Sequence, residues 1–179
     1  MQRILALTTA AAPTLARPML EAVQKKLGMV PNLFKTFAHS PAVLQYYLAG
    51  SEALSGGVLS APLREQIALV TAGANDCDYC ASAHTLMGKG AGLEAAEMTR
   101  NLVGRSDNPK TEAALEFAAS IVRERGRISD AQLQSLRAAG FGDDELVEIV
   151  ANVAANIFTN YFNHIAGTVI DFPAVKASS

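Results

Sequence analysis

The chain has 179 residues and a net charge of −2, with half of its residues hydrophobic, 18% charged and 6% aromatic. This length suits a single domain with a substantial buried core. The low net charge, and the lack of any Lys/Arg cluster interleaved with aromatics, argue against nucleic acid or an anionic membrane as a partner.

The N-terminal segment "MQRILALTTAAAPTLA" has one Arg, an apolar run and then small residues, as a weak signal peptide would. Its run "ILAL" is well short of the apolar core of about seven residues that a signal peptide needs. No other stretch has the length of a transmembrane helix. We therefore expect a cytoplasmic protein.

Apolar residues recur with helical period along most of the chain, and no long stretch alternates as a strand does, so the sequence predicts an all-α fold. The segment "SPAVLQYYLAGSEAL" begins with Ser40 as N-cap and Pro41 at the first helical position. Gly56 and Gly57 end that helix. A second helix, "SAPLREQIALVTAGA", is expected to begin near Ser60.

The two cysteines of the chain, Cys77 and Cys80, follow a break in this second helical pattern. A cluster of Gly, Asn and Asp, which are typical turn residues, interrupts the pattern just before them. Asp76 is expected to cap a new helix that begins at the cysteines and runs to about Met87.

Four further helices are predicted after the cysteines. "GLEAAEMTRNL" is short, and "NPKTEAALEFAASIVRERG" is longer and ends at Gly126. "SDAQLQSLRAAG" has a capping box formed by Ser129 and Gln132 and stops at Gly140. The last segment, "DDELVEIVANVAANIFTNYFNHIAG", is the longest and the most apolar.

Two Glu–His pairs have the same spacing. Glu65 precedes His84 by nineteen residues, and Glu145 precedes His164 by nineteen. The apolar runs "IALV" and "VEIV" lie at corresponding places. These similarities are consistent with a diverged internal helical repeat, with the cysteines present only in the first copy. His164, which lies among aromatic and aliphatic residues, is expected to be a core histidine.

Cys77, Cys80 and His84 are spaced i, i+3 and i+7, which puts them within about 60° of one another on one helix face. A helix N-terminus favours a thiolate, and His84, one turn beyond Cys80, can accept its proton. Asp76 and Asp78 flank Cys77 and disfavour a second negative charge there. Cys80 is therefore the better candidate for a nucleophile.

Three interpretations of the cysteine pair compete: a redox-active dithiol, a zinc site with His84 and Glu65, and a structural disulfide. Zinc accepts these ligand types, but the chain has no second CxxC. A structural disulfide across so short a loop would stabilise little by entropy. A thioredoxin-type CxxC normally lies in a βαβ unit, whereas no strands are predicted here. The dithiol on a helical scaffold is favoured, and the other two stay open.

Glu65 would lie about 18 Å from Cys77 in one continuous helix. It reaches the cysteines only if the chain reverses at "GAND". A carboxylate beside His84 would then orient the imidazole and raise its basicity, as the third member of a proton relay. The alternative is a solvated first-turn carboxylate that stabilises the helix dipole.

The spacing of Glu65, Cys77, Cys80 and His84 resembles that of the alkylhydroperoxidase D and carboxymuconolactone decarboxylase superfamily. "LGMVPNLFKTFAHSPAVLQYYLAG" and "LREQIALVTAGANDCDYCASAH" resemble its peroxidase-related branch, and so does "AAGFGDDELVEIVANVAANIFTNYFNH". The resemblance covers most of the chain and implies an alkylhydroperoxidase D-like helical bundle.

By this resemblance, Cys80 is the peroxidatic thiol, Cys77 is the resolving thiol, and Glu65 and His84 form the proton relay. No metal or dedicated organic cofactor is expected. The founding hydroperoxidases also carry a histidine between their cysteines, where this chain has Tyr79, so we expect a differently built relay and weaker peroxidase activity. Decarboxylase members generally lack the cysteine pair, which argues against lactone decarboxylation.

The resemblance implies a single domain, 1–179, with an N-terminal extension or arm at 1–26 and a core at 27–167. We expect an antioxidant enzyme that reduces a hydroperoxide and is restored by an external dithiol reductant protein. The alternatives are a non-catalytic oligomeric module whose dithiol is a redox switch, and a carboxymuconolactone decarboxylase-like lyase.

The last predicted helix has an apolar band wider than the stripe of an ordinary surface helix. The sequence therefore predicts a homo-oligomer, and the resemblance implies a trimer or a hexamer with the cysteine helix close to a subunit interface. Asn156 and Asn160 lie one turn apart on this helix. They either hydrogen-bond near the cysteines or cap neighbouring groups.

Overall fold

The computed structural model describes residues 1–178, and these residues form nine α-helices and no β-strand. The all-α fold predicted from helical periodicity is confirmed. The helices, in chain order, are α1 Arg17–Leu27, α2 Asn32–Phe37, α3 Pro41–Ser55, α4 Ala61–Ala74, α5 Asp78–Gly90, α6 Ala95–Leu102, α7 Pro109–Arg123, α8 Asp130–Ala138 and α9 Asp143–Ala166. Within the described part of the chain, none of these helices is both long and apolar enough to cross a membrane.

Side-chain caps explain where four of the helices begin. The first backbone N–H groups of a helix have no intrahelical acceptor, so a side-chain oxygen at the N-cap stabilises the first turn. Ser40, Ser60 and Asn108 supply this oxygen to α3, α4 and α7. Ser129 and Gln132 form the predicted capping box of α8. The helix starts predicted at Ser40, Ser60 and Ser129 are confirmed.

The predicted cap of the cysteine helix is wrong by one residue. The N-cap of α5 is Cys77, with extended backbone angles of φ −103° and ψ 92°. Asp76 instead has a φ of +55°, a left-handed conformation that Asp tolerates better than most residues. This conformation lets the chain reverse after α4, and the Cys77 N–H then donates to the carbonyl oxygen of Ala72. The helix also continues to Gly90 rather than ending near Met87.

Helix α4 lies at the centre of the fold and packs against α5, α6, α7 and α9. Gly73 makes the contact with α6 possible, because a Cβ at this position would collide with the carbonyl oxygen of Leu102. Two clusters of buried apolar side chains lie around α4. One contains the cysteines and side chains of α1, α2 and α3, and the other joins α4 to α7, α8 and α9.

The N-terminal residues contribute to the core around the cysteines. Leu20 and Val23 of α1 are buried in the same cluster as Cys77 and Cys80. Before α1, the N–H groups of residues 3 and 4 donate to the carbonyl oxygen of Ala166, at the end of α9. These contacts tie the N-terminal segment to the bundle, while the division into an arm at 1–26 and a core at 27–167 stays a prediction.

Candidate active site

The reversal between α4 and α5 brings Glu65 and His84 together. The Nδ1 atom of His84 lies 2.8 Å from the Oε2 atom of Glu65, and both side chains are largely buried. The two residues come from neighbouring helices, as the sequence analysis required for a relay. A carboxylate at this nitrogen fixes the imidazole orientation and leaves Nε2 to exchange a proton.

The second Glu–His pair has no such geometry. Glu145 and His164 lie near opposite ends of one continuous helix, α9. Glu145 accepts a hydrogen bond from the N–H of Gly142 at the start of that helix. His164 is exposed, and its Nε2 atom lies 2.9 Å from the carbonyl oxygen of Asn75. His164 is therefore not the core histidine that the sequence analysis expected.

Both cysteines are reduced and almost fully buried, each with 2% of its surface exposed. Cys80 lies in the first turn of α5 and faces α9. The Nδ2 group of Asn163 donates a hydrogen bond to the Cys80 sulfur over 3.2 Å. The Cys80 thiol also lies 3.9 Å from the hydroxyl oxygen of Thr159.

The surroundings shift the pKa values of the two thiols in opposite directions. The hydrogen bond from Cys77 has the largest effect on Cys80, and burial opposes it. The charge of His84 and the amides of Asn163 and Asn160 act in the same direction as Cys77, and together these groups lower the pKa of Cys80 to about 6. The hydrogen bond that Cys77 donates to Cys80 has the largest effect on Cys77 and raises its pKa, and burial raises it further, well above the pKa of a free thiol. Cys80 is thus the thiolate of the pair near neutral pH.

His84 connects the carboxylate to the thiolate. Burial alone would lower the pKa of this imidazole, but the charges of Glu65 and Cys80 and the side chain of Asn156 raise it above its ordinary value. The Asn156 amide is itself fixed, because its Nδ2 group donates to the carbonyl oxygen of Asn152 over 2.8 Å. An imidazole held between two negative groups favours its protonated form.

Four asparagines of α9 form a polar stripe that the sequence analysis recognised only in part. They lie at i, i+4, i+8 and i+11, so at 100° per residue they share one face of the helix. This face points towards α4 and α5, where Asn160 contacts Asn75 and Asn163 contacts Cys80. Such a pattern is the signal that could have located the site from the sequence. The four residues are Asn152, Asn156, Asn160 and Asn163.

Tyr47 is a site residue that the sequence analysis missed. Burial raises the pKa of its phenol, and the nearby negative charges of Cys80 and Glu65 raise it further. The phenol therefore stays neutral. Its ring packs against Phe34 and Phe37, with centroid distances of 5.7 and 5.5 Å. The side chain comes from α3, and no local pattern in the sequence points to it.

Tyr79, between the two cysteines, has a structural role. Its hydroxyl accepts a hydrogen bond from the N–H of Leu33 at 3.1 Å and donates to Asp171 at 3.0 Å. Its ring makes an edge contact with Phe172. The side chain therefore points away from His84 and ties α5 to α2 and to the segment after α9.

The segment after α9, residues 168–178, crosses the N-terminal end of α5. Asp78 accepts hydrogen bonds from the side chain of Lys176 at 2.7 Å and from the N–H of Ala177 at 2.9 Å. The N–H of Val175 donates to the hydroxyl of Ser82. The carboxylate of Asp78 is thus engaged with this C-terminal segment, which reduces its influence on the thiols.

A cavity of about 240 Å³ opens beside Cys77 rather than beside Cys80. A larger one, of about 430 Å³, lies along α7 and α8, and no predicted site residue lines it. Among residues 1–178, no group of three or more His, Cys, Asp or Glu side chains is arranged to hold a metal ion. The cavity at Cys77 is lined by Asp76, Cys77, Asp78, Tyr79, Asn163, His164, Gly167, Thr168 and Ile170.

The helical fold and the sequence together define a class of protein. Residues 41–120 match the model of the carboxymuconolactone decarboxylase family. This match and the helical fold support the alkylhydroperoxidase D and carboxymuconolactone decarboxylase superfamily that the sequence analysis predicted. No curated protein sequence matches the chain.

Two similar solved structures are peroxidase-related proteins. One is the alkylhydroperoxidase AhpD core of an uncharacterized peroxidase-related protein from Ralstonia eutropha JMP134. It has 28% identity and a TM-score of 0.85, and the match covers 96% of this chain and 94% of that chain. The other is an uncharacterized peroxidase-related protein from Silicibacter sp. TM1040. It has 26% identity and a TM-score of 0.80, and the match covers 94% of this chain and 92% of that chain.

A third similar structure carries a different activity in its name. It is the debrominase Bmp8, a cysteine-to-alanine variant in complex with 2,3,4-tribromopyrrole. It has 20% identity and a TM-score of 0.81, and the match covers 96% of this chain and 92% of that chain. At this identity the likeness extends to the fold alone.

Proposed function

We propose that the protein is a thiol-dependent peroxidase and disulfide oxidoreductase. The observation that carries the proposal is the hydrogen bond between Glu65 and His84 beside Cys80, the thiol of lowered pKa in a dithiol pair. A thiolate, a resolving thiol and a proton donor are the three groups that reduction of a hydroperoxide requires. The peroxidase-related neighbours at 28% and 26% identity support the same class of reaction.

In the first step, the Cys80 thiolate attacks the terminal oxygen of the hydroperoxide. An S–O bond forms, the O–O bond breaks, and the alkoxide takes a proton from the His84 imidazolium. The products are an alcohol, or water from hydrogen peroxide, and a sulfenic acid on Cys80. Glu65 holds the imidazole in position and favours its protonated form before the transfer.

In the second step, Cys77 resolves the sulfenic acid. Its raised pKa keeps the proton on the thiol until Cys80 no longer carries charge. His84, neutral after the first step, takes this proton, and the Cys77 sulfur attacks the Cys80 sulfur. The hydroxyl group leaves as water with that proton, and a disulfide forms. An external dithiol protein then reduces the disulfide by exchange and becomes a disulfide itself.

The test is a peroxide-consumption assay with dithiothreitol, combined with intact mass after one equivalent of peroxide. Wild type should consume peroxide and lose two hydrogens reversibly. Cys80→Ser should do neither, whereas the matched variant Cys77→Ser should gain one oxygen and fail to turn over. Equal peroxide consumption by wild type and Cys80→Ser would overturn the proposal. Reversible loss of two hydrogens without consumption above background would favour a redox-switch module instead.

We also propose that the protein is a homo-oligomer, a trimer or a hexamer. The support is the outer face of α9, on the side away from the polar stripe. It exposes Val147, Val150, Tyr161 and Ile165, with 42–64% of their surfaces accessible. Apolar side chains repeated along one helix are typical of an interface. Light scattering at micromolar concentration tests this, and a monodisperse species of 18.8 kDa would contradict it.

A further inference from the structure

Asn160 has a buried amino group that the steps above do not use. The side chain is completely buried, and its Oδ1 atom accepts a hydrogen bond from the Nδ2 group of Asn75 at 2.9 Å. Its own Nδ2 group has no hydrogen-bond partner in the described chain, residues 1–178. Asn75, at the C-cap of α4, therefore fixes the direction in which this donor points.

The unpaired donor of Asn160 points towards the reactive sulfur. Thr159 and Asn163, its neighbours on α9, both contact Cys80. After the hydrogen bond from Cys77, the Asn160 amide is among the groups that lower the pKa of Cys80. The reverse orientation of the amide would set a carbonyl oxygen against the sulfur lone pairs, which is unfavourable.

A buried donor without an acceptor destabilises the folded protein. The Cys80 sulfur accepts from Asn163 at 3.2 Å, whereas the Asn160 amino group lies near enough to the sulfur to lower its pKa but has no hydrogen-bond partner of good geometry. This donor is therefore available to an atom that enters the site. During peroxide reduction the atom that enters is oxygen, and it stays bound to the Cys80 sulfur. The negative charge develops on the leaving oxygen, so a donor held in place before the reaction acts on the transferred oxygen by orienting the peroxide for attack by the sulfur.

We propose that Asn160, oriented by Asn75, is a further catalytic residue that donates a hydrogen bond to the oxygen transferred from the peroxide to Cys80. The inference rests on the proposed peroxidase function. In the attack the S–O bond forms as the O–O bond breaks, and the electron pair leaves with the alkoxide, which takes the His84 proton. The hydrogen bond from Asn160 is made to the transferred oxygen and gives up no proton.

The experiment compares two reactions of Cys80, one with oxygen transfer and one without. Hydrogen peroxide and iodoacetamide are each reacted with the reduced protein at about pH 8, where Cys80 is a thiolate. We expect Asn160→Leu to slow the peroxide reaction about 100-fold, because the peroxide is no longer oriented for attack. Alkylation should change by no more than about threefold, because no oxygen enters the site in that reaction.

A second variant and a control keep the test decisive. Asn75→Ala leaves the amide of Asn160 in place but free to turn, and should slow only the peroxide reaction, by about tenfold. Asn101→Leu is the control, since this amide is as buried as that of Asn160 but donates to Glu97 and Arg105 away from Cys80, and it should leave both rates unchanged. Circular dichroism verifies folding, and Asn75→Ala alone decides the question if Asn160→Leu does not fold.

Three outcomes would overturn the inference in distinguishable ways. An unchanged peroxide rate in Asn160→Leu would mean that its amide makes no contact in the transition state. An equal loss in both reactions would mean that the amide acts on the sulfur and not on the oxygen. A wild-type protein that reacts no faster with peroxide than Cys80→Ser would overturn the proposed function, and this inference with it.

Discussion

The two cysteines lie three residues apart yet have different neighbours. Cys80 faces α9, where amides and His84 act on its charge. Cys77 lies beside the C-terminal segment, where Asp78 and Tyr79 make hydrogen bonds that hold α5 in place. One side of this first helical turn is thus built for reactivity and the other for attachment. Substitutions of the residues around the two cysteines should accordingly change different measured quantities.

The largest effect is expected from the relay on the Cys80 side. Glu65→Gln removes the negative charge beside His84, so the pKa of His84 should fall and the proton donor should be lost. We expect the rate of peroxide reduction to drop about 100-fold, as is typical when acid–base catalysis is removed. The matched control is Glu145→Gln, which has the same spacing from a histidine but lies far from the thiols. A similar loss in both variants would contradict the role of Glu65.

The next effect concerns the charge of Cys80. The rate of iodoacetamide reaction against pH should have a midpoint of about 6, well below that of a free thiol. Cys77→Ala removes the hydrogen bond that contributes most, so this midpoint should rise. Cys77→Ser keeps a hydroxyl donor and should raise it less. Identical midpoints in the three proteins would show that Cys77 does not set the charge of its neighbour.

A smaller effect is expected on the attachment side. Tyr79→Phe removes the hydroxyl that links Leu33 to Asp171. The free energy of unfolding should fall by about 1–2 kcal/mol, measured by urea denaturation. The alkylation midpoint of Cys80 should not move, because the hydroxyl points away from the thiols. A shifted midpoint would place Tyr79 in the relay and contradict the separation of the two sides.

The smallest effect is a pH dependence of the C-terminal segment. The hydrogen bonds from Lys176 and then from the N–H of Ala177 lower the pKa of Asp78. A carboxyl whose pKa is lowered by folding stabilises the folded protein at pH values above its pKa in the unfolded chain, which is about 3.9. This contribution is lost as the pH falls through the pKa of the carboxyl in the folded protein. Hydrogen exchange at Ala177, corrected for its intrinsic rate, should therefore speed up below about pH 4. Asp78→Asn should abolish this dependence, and its persistence would contradict the assignment.

The sequence predicted the features that depend on local chemistry. Ser40, Ser60 and Ser129 are effective caps, and they act in the first turns of their own helices. The reversal after α4 followed from its turn residues. The cap of α5 was misplaced, because Asp76 is a good cap by composition but has a left-handed backbone that excludes it from that position.

The parts of the site that depend on distant contacts could not be predicted. Tyr47 comes from a helix that ends well before the cysteines, and only the packed fold brings its phenol close to Cys80. The C-terminal segment has no periodicity, so nothing in its sequence indicated that it would hold Asp78. The nineteen-residue spacing was misleading for Glu145 and His164, because one continuous helix holds these two residues far apart. Glu65 and His84 have the same spacing but meet because the chain reverses between them.

Gly73 limits how this chain can evolve. No side chain fits between α4 and the carbonyl oxygen of Leu102, because even a methyl group would collide with the backbone of α6. In a saturation library screened for folded protein, glycine should be the sole residue recovered at this position. Since Gly73 lies between Glu65 and Cys77, insertions or deletions near it would also change how the carboxylate and the thiols are aligned. The interval between these two residues is therefore a fixed length in any descendant that keeps both the fold and the chemistry.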